Sequence, residues 1–290
     1  MARVGQTIDG IYEIQSLLGQ GGTAKVYLAT DRSQQRWAVK EIPKQDSRAV
    51  QQALAEANLL KQLDHPALVR VIDVVDTPDA LYVIEDCVDG ESLDAILQSH
   101  GAQSPKAVVE WGIQLCDALA YLHTRHPAII YRDVKPANIL LRHDGTLCIV
   151  DFGSAREYDE SGGKDAVYLG TQGYAAPEQF GAQGQTDPRT DVYGLGATLH
   201  HLVTGHNPCD TPWTRHPIRH WNPRLDPQLE AMIEKCTHPN PDCRYSSCAA
   251  VQDALRQYQK QKRRKCAGIA VAVPSVLFAL AGIVEWVIRT

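Results

Sequence analysis

The sequence predicts an α+β chain of two unequal lobes, a small β-rich one and a larger helical one, followed by a single membrane-spanning helix. Three observations carry that expectation. Residues 1–88 alternate apolar and polar in the manner of strands around one helical stripe. Beyond Gly90 the apolar residues recur at helical spacing. From Cys266 to Val284 no charged residue occurs. The composition agrees with a folded body: 290 residues, 44% apolar and 22% charged, exclude a disordered chain and a collagenous repeat. Eight cysteines in that length are too dilute for a disulfide-stapled scaffold. The net charge of −5 gives no reason to expect nucleic acid as a partner. Charge is unevenly placed, however. Residues 260–290 hold six of the 29 basic and one of the 34 acidic residues, which leaves the preceding 259 with 23 basic against 33 acidic.

In chain order, residues 12–18, 24–29 and 36–42 read as strands, separated by glycines and by Asp31-Arg32-Ser33-Gln34. Residues 47–63 read as a helix with Val50, Leu54, Ala57 and Leu60 on one stripe and Asp46 or Ser47 as its cap. Residues 68–75 and 80–88 return to strand, split by Thr77-Pro78-Asp79. Ser104-Pro105 opens a helix that turns Val108, Trp111, Leu115, Leu119 and Leu122 to one side. Asp226-Pro227 opens another, and 192–202 and 249–258 read as two more. The expected divisions are 1–88, 89–258, a basic segment 259–265 and a span 266–288, with any ligand between the two lobes.

Several short segments carry chemistry. Gly19-Gln20-Gly21-Gly22 lies between two strands, a context that disfavours phosphate sites built on a helix N-terminus and suits a glycine-rich hairpin folded over a phosphate. Lys40 ends Trp37-Ala38-Val39-Lys40, and Glu56 lies on the flank of its helix stripe, where a half-buried carboxylate requires a cation. Tyr131-Arg132-Asp133-Val134-Lys135-Pro136-Ala137-Asn138 is polar yet wedged between apolar Ala128-Ile129-Ile130 and Ile139-Leu140-Leu141. Thirteen residues after Asn138, Asp151-Phe152-Gly153 follows another apolar strand. Two carboxylates, an amide oxygen and an ammonium at strand ends are the groups phosphoryl transfer requires.

This ordered set resembles the eukaryotic-like (Hanks-type) protein kinases, most closely the bacterial membrane-anchored serine/threonine kinases, from Tyr12 to Tyr258. The resemblance implies the two-lobed kinase fold, ATP and Mg²⁺ as cofactors, and protein Ser/Thr hydroxyls as acceptors. It implies Asp133 as the base and Lys135 as the cation that steadies the transferred phosphoryl group, with Asn138 and Asp151 as the Mg²⁺ ligands. Leu18, Gly19, Gly21 and Gly22 would cover the nucleotide, and Val26, Ala38 and Leu140 would sandwich the base. Asp86 to Val88 would supply the hinge, and Lys40 would pair with Glu56 and the α/β-phosphates. Glu178 is expected to pair with Arg244, Asp191 to anchor the catalytic loop, and Ser161, Tyr168 and Thr171 are the hydroxyls near the activation segment, Thr171 in a substrate-positioning role. The resemblance also implies dimerisation as a route to activation.

Three positions depart from the family pattern: Ala24 replaces a loop glycine, Tyr131 a histidine, and Glu85 the usual neutral gatekeeper. A carboxylate at the back of the base pocket requires a partner or a shifted pKa. The rival reading is a pseudokinase, a nucleotide-binding scaffold without phosphotransfer.

The segment 266–288 is long enough to cross a bilayer core of about 30 Å and is apolar all the way round except for Ser275 and Glu285. The Lys260–Lys265 cluster is expected to remain cytoplasmic and to contact anionic lipid, placing the body in the cytoplasm. No apolar leader is expected at residues 2–15, and no sensor domain beyond Arg289-Thr290.

Overall fold

Alternating β-formers in the first third of the chain build a six-stranded antiparallel sheet. In the computed structural model, residues 2–20, 24–158, 170–180, 185–211 and 214–264 are described. The strands are β1 (Thr7–Ile8), β2 (Tyr12–Gln20), β3 (Lys25–Thr30), β4 (Arg36–Pro43), β5 (Val71–Asp76) and β6 (Ala80–Asp86), in the order β1-β2-β3-β4-β6-β5. One face packs Tyr12, Ile14, Tyr27, Val39, Tyr82 and Ile84 into a core of its own. That core also takes in Glu41, 1% exposed, whose carboxylate accepts bonds from the Ala2 backbone N–H and the Tyr27 and Tyr82 hydroxyls.

The other face carries Ile42, Leu81 and Val83 and packs on helix α1 (Ser47–Leu60), capped by the Asp46 carboxylate. The buried face of α1 is Ala49, Ala53, Glu56, Ala57 and Leu60; of the expected stripe Ala57 and Leu60 are buried, Val50 is partly buried against the core, and Leu54 is 38% exposed. The alanines explain the rotation. A face of small side chains lets the helix lie close on the sheet, while Leu54 on that side would hold it away. The strand expected from residue 68 begins at Val71, because Leu68 turns aside to form a parallel bridge with Ile149.

The larger helical part begins with β7 (Gly90–Ser92) and α2 (Leu93–His100), two short elements without a sequence signal. Ser104 caps α3 (Pro105–His123), which buries Val108, Trp111, Leu115, Leu119 and Leu122 as expected. Between the helices lie β8 (Ile129–Ile130), β9 (Ile139–Arg142), β10 (Leu147–Ile149) and β11 (Arg156–Glu157), and β10-β9-β7 form a small sheet. Helix α4 (Pro188–Thr204) is buried along most of its length and packs on α3 and α6 (Pro227–Cys236). A four-residue α5 (Ile218–Trp221) precedes α6, and α7 runs over residues 248–264, past the expected end at 258. The span expected at 266–288 lies outside the described residues. Among the described residues no helix is long and apolar enough to cross a membrane.

Candidate active site

Antiparallel register decides what faces the cleft beneath the sheet. Val26 pairs with Lys40 and Ala38 with Glu85, so these four side chains share one face. Helix α1 brings Glu56 to the same face. Its carboxylate accepts both contacts of the Lys40 ammonium, Nζ to Oε2 at 2.9 Å and to Oε1 at 3.1 Å, and Oε1 also accepts the backbone N–H of Phe152 at 3.0 Å. Asp151 Oδ1 lies 3.7 Å from the same Nζ. Burial works against the charge of Lys40, but Glu56, Asp151 and Glu85 outweigh it and push its pKa up to about 12. Lys40 is therefore a fixed cation at neutral pH.

The opposite wall is built from the polar loop between β8 and β9. Two non-glycine residues here hold left-handed backbone, Arg132 in the loop at φ 66° and Asp151 beside it at φ 62°, each at a cost on the order of 1–3 kcal/mol. The strain at Arg132 is held by α4. Asp191, 1% exposed, accepts the backbone N–H groups of Tyr131 at 2.9 Å and Arg132 at 2.7 Å, and His123 Nε2 donates to it at 2.8 Å. The Tyr131 ring meets Phe152 edge-on at 5.1 Å, and its hydroxyl donates to Val150 O at 2.7 Å. Asp133, Lys135 and Thr171 close a triangle. Lys135 Nζ stands 2.7 Å from Asp133 Oδ2 and donates to Thr171 Oγ1 at 2.8 Å, while the Thr171 hydroxyl donates to Asp133 Oδ1 at 2.9 Å. Asn138 Nδ2 donates to the same Asp133 carboxylate at 2.9 Å, which leaves the amide oxygen as its acceptor.

These walls belong to a recognisable whole, and the sequence comparisons agree with it. Residues 12–256 match the protein kinase domain family. The chain belongs to that family. It is similar to the serine/threonine-protein kinase PknB of Mycolicibacterium smegmatis, 34% identical over 88% of this chain and 44% of that protein. It is also similar to a probable serine/threonine-protein kinase, SCO3848, of Streptomyces coelicolor, 33% identical over 83% of this chain and 38% of that protein. PrkC of Bacillus subtilis, named a serine/threonine-protein kinase, is 30% identical over 87% of this chain and 41% of its own length. The chain spans less than half the length of these curated relatives.

The kinase cleft encloses about 570 Å³. It is lined by Leu18, Gly19, Val26, Ala38, Lys40, Glu56, Asp86, Val88, Leu140 and Asp151, among the residues expected from the sequence. Gly21, Gly22, Ser161 and Tyr168 lie outside the described residues. Glu178 receives both Arg244 nitrogens, at 2.6 and 2.8 Å, at the foot of the segment that carries Thr171. Glu85 stands half-buried in the cleft wall. Among the described residues its carboxylate has no hydrogen-bond partner. Burial pushes its pKa up to about 7, with Lys40 pulling it down and Glu56, Asp151 and Asp86 pushing it further up.

Two cleft residues carried no motif. Gln52 on α1 donates from Nε2 to Gly153 O at 2.6 Å, fastening the helix that holds Glu56 to the loop that holds Asp151. Cys87 lies between the two expected hinge residues. Only the spacing of Gln52, one turn before Glu56, could have signalled its position on the cleft side of α1. The Asp151 carboxylate lines the cleft, and the Asn138 amide oxygen lies buried beside Asp133 at the end of the adjacent loop; both are ligand types that Mg²⁺ takes.

Proposed function

We propose that this chain is a serine/threonine protein kinase that transfers the γ-phosphate of ATP to protein hydroxyls. The observation that carries the reading is the Asp133–Lys135–Thr171 triangle, in which a hydroxyl already donates to Asp133 at 2.9 Å. A Ser or Thr hydroxyl of a substrate placed at that carboxylate meets the same acceptor, and Asp133 orients it and takes its proton as the oxygen bonds to the γ-phosphorus and the bond from that phosphorus to the departing ADP breaks. Lys135 compensates negative charge beside the acceptor. On the nucleotide side, Lys40, held by Glu56, offers a fixed cation to the α/β-phosphates. Val26, Ala38 and Leu140 enclose the base, and the backbone of Asp86 to Val88 supplies its hydrogen bonds. Asn138 and Asp151 would hold Mg²⁺, which when bound neutralises phosphate charge and orients the transferred group.

Pairing between Lys40 and Glu56 is the arrangement in which these parts work together. Phe152, 1% exposed against Tyr131, keeps Asp151 turned toward Lys40. The names of the relatives support the serine/threonine assignment. We further read the basic segment and the apolar stretch 266–288 as a tether that holds the kinase body at the cytoplasmic face of a membrane.

The test is phosphoamino-acid analysis of the purified chain incubated with γ-labelled ATP, Mg²⁺ and a mixed Ser/Thr/Tyr peptide pool. The expected products are phosphoserine and phosphothreonine. Nucleotide binding without any transfer would replace the reading by the scaffold one.

A further inference from the structure

The lower end of the helical part carries a second cavity, of about 420 Å³, between the start of α3, the turn before α6, and α7. Its floor is apolar: Val109, Leu225 and Tyr258, each less than 9% exposed. Its rim is cationic. Lys106, Arg224 and Arg263 line it, and among the described residues their side chains form no ion pair and no hydrogen bond. Against them the cavity sets Glu110 and Asp226, the latter paired with Lys262. An apolar floor under unpaired cations suits a ligand with an anionic head on an apolar stem.

The position of the cavity selects among such ligands. Arg263 lies three residues before Cys266, where the uncharged stretch begins. If that stretch enters a bilayer, the first charged surface the cavity meets is the headgroup layer. Over the first 259 residues acids outnumber bases 33 to 23, so an anionic leaflet repels most of the body and attracts this end. We propose that this cavity is a docking site for the headgroup of an anionic phospholipid, which fixes the orientation of the kinase body on the membrane. The phosphodiester meets Lys106, Arg224 and Arg263 at the rim, and the glycerol and acyl chains stay in the leaflet. The proposal rests on the membrane tether of the preceding section and adds to it a specific site on the folded body.

The experiment uses the full chain in nanodiscs of phosphatidylcholine alone or with one-third phosphatidylglycerol, read by hydrogen exchange. Phosphatidylglycerol is expected to slow exchange in peptides covering 105–110 and 222–228, and Lys106→Gln/Arg224→Gln to abolish that slowing while peptide phosphorylation stays unchanged. Both side chains are exposed, so the double variant folds. Equal exchange in the two lipids, with the chain incorporated, overturns the site and leaves the tether standing. If the full chain does not incorporate, the tether falls, and sedimentation of the free chain with phosphatidylglycerol vesicles tests the site alone. Each cation near an anionic surface contributes roughly fivefold in affinity. The double variant should then bind roughly 25-fold more weakly, and equal binding overturns the site.

Discussion

At the scale of single residues, the least familiar feature is Glu85. Its raised pKa means that the folded chain binds a proton more tightly than the unfolded one. The protonated residue therefore contributes stability that is fully present below about pH 4.5 and is lost as pH rises toward about 7. Glu85→Gln keeps the shape and removes the titration. The variant should match the parent at pH 4.5 and exceed it at pH 8 by about 2 kcal/mol, below the full 1.36 kcal/mol per pKa unit because the cleft admits water. Thermal melts of parent and variant across that range check this, and identical melting temperatures at pH 8 would contradict it. Single residues also explain what was readable in the sequence. Asp133, Asn138 and Asp151 stand in short polar segments beside apolar strands and Lys40 within an apolar strand, so local context marks them. Gln52 and Gly153 meet across 101 positions of sequence, and nothing local to either announces the contact.

At the scale of elements, the site depends on three ties between segments. Asp191 on α4 holds the loop of Asp133, Glu56 on α1 holds Lys40 and Phe152, and Glu178 holds the end of the Thr171 segment against Arg244. The last tie is a nearly buried ion pair. Arg244 is 4% exposed and also donates to the His238, Pro239 and Arg189 carbonyls. Removing one member of a buried pair strands the other charge, at a cost of about 3–5 kcal/mol. Arg244→Met should accordingly lower unfolding free energy by about 3 kcal/mol in guanidinium titrations, and a loss below about 1 kcal/mol would show the tie to be unimportant. Helix periodicity located α3, α4 and α6 well, since their buried faces are long and apolar. On α1 it found Ala57 and Leu60 but missed that Ala49 and Ala53 pack inward while Leu54 remains outside. Hydrophobicity alone cannot see a face chosen for close approach and for an ion pair. The short β7 and α2 escaped for a simpler reason: three and eight residues are too few for either period to emerge.

At the scale of the whole molecule, sheet and helices meet at a cleft, and the proposed reaction draws complementary halves from its two sides. The sheet and α1 supply the fixed cation and the enclosure for a base. In the proposed reaction the β8–β9 loop, Asp151 and the Thr171 segment would supply the acceptor carboxylate, a second cation and the hard oxygen ligands. A scaffold that only bound nucleotide would require the first wall but not the Asp133–Lys135–Thr171 triangle. The two lobes were legible from the change in hydrophobic period near Gly90, whereas the way their loops converge follows from long-range bonds to Asp191 and Glu56. The central claim is that Asp133 performs phosphotransfer in this cleft. Its most direct test compares transfer of labelled phosphate to a Ser/Thr peptide by the parent and by Asp133→Asn, with Mg·ATP affinity measured in both. The predicted result is unchanged affinity with transfer reduced by roughly 10²–10⁴-fold, whereas equal transfer by the two proteins would contradict the account.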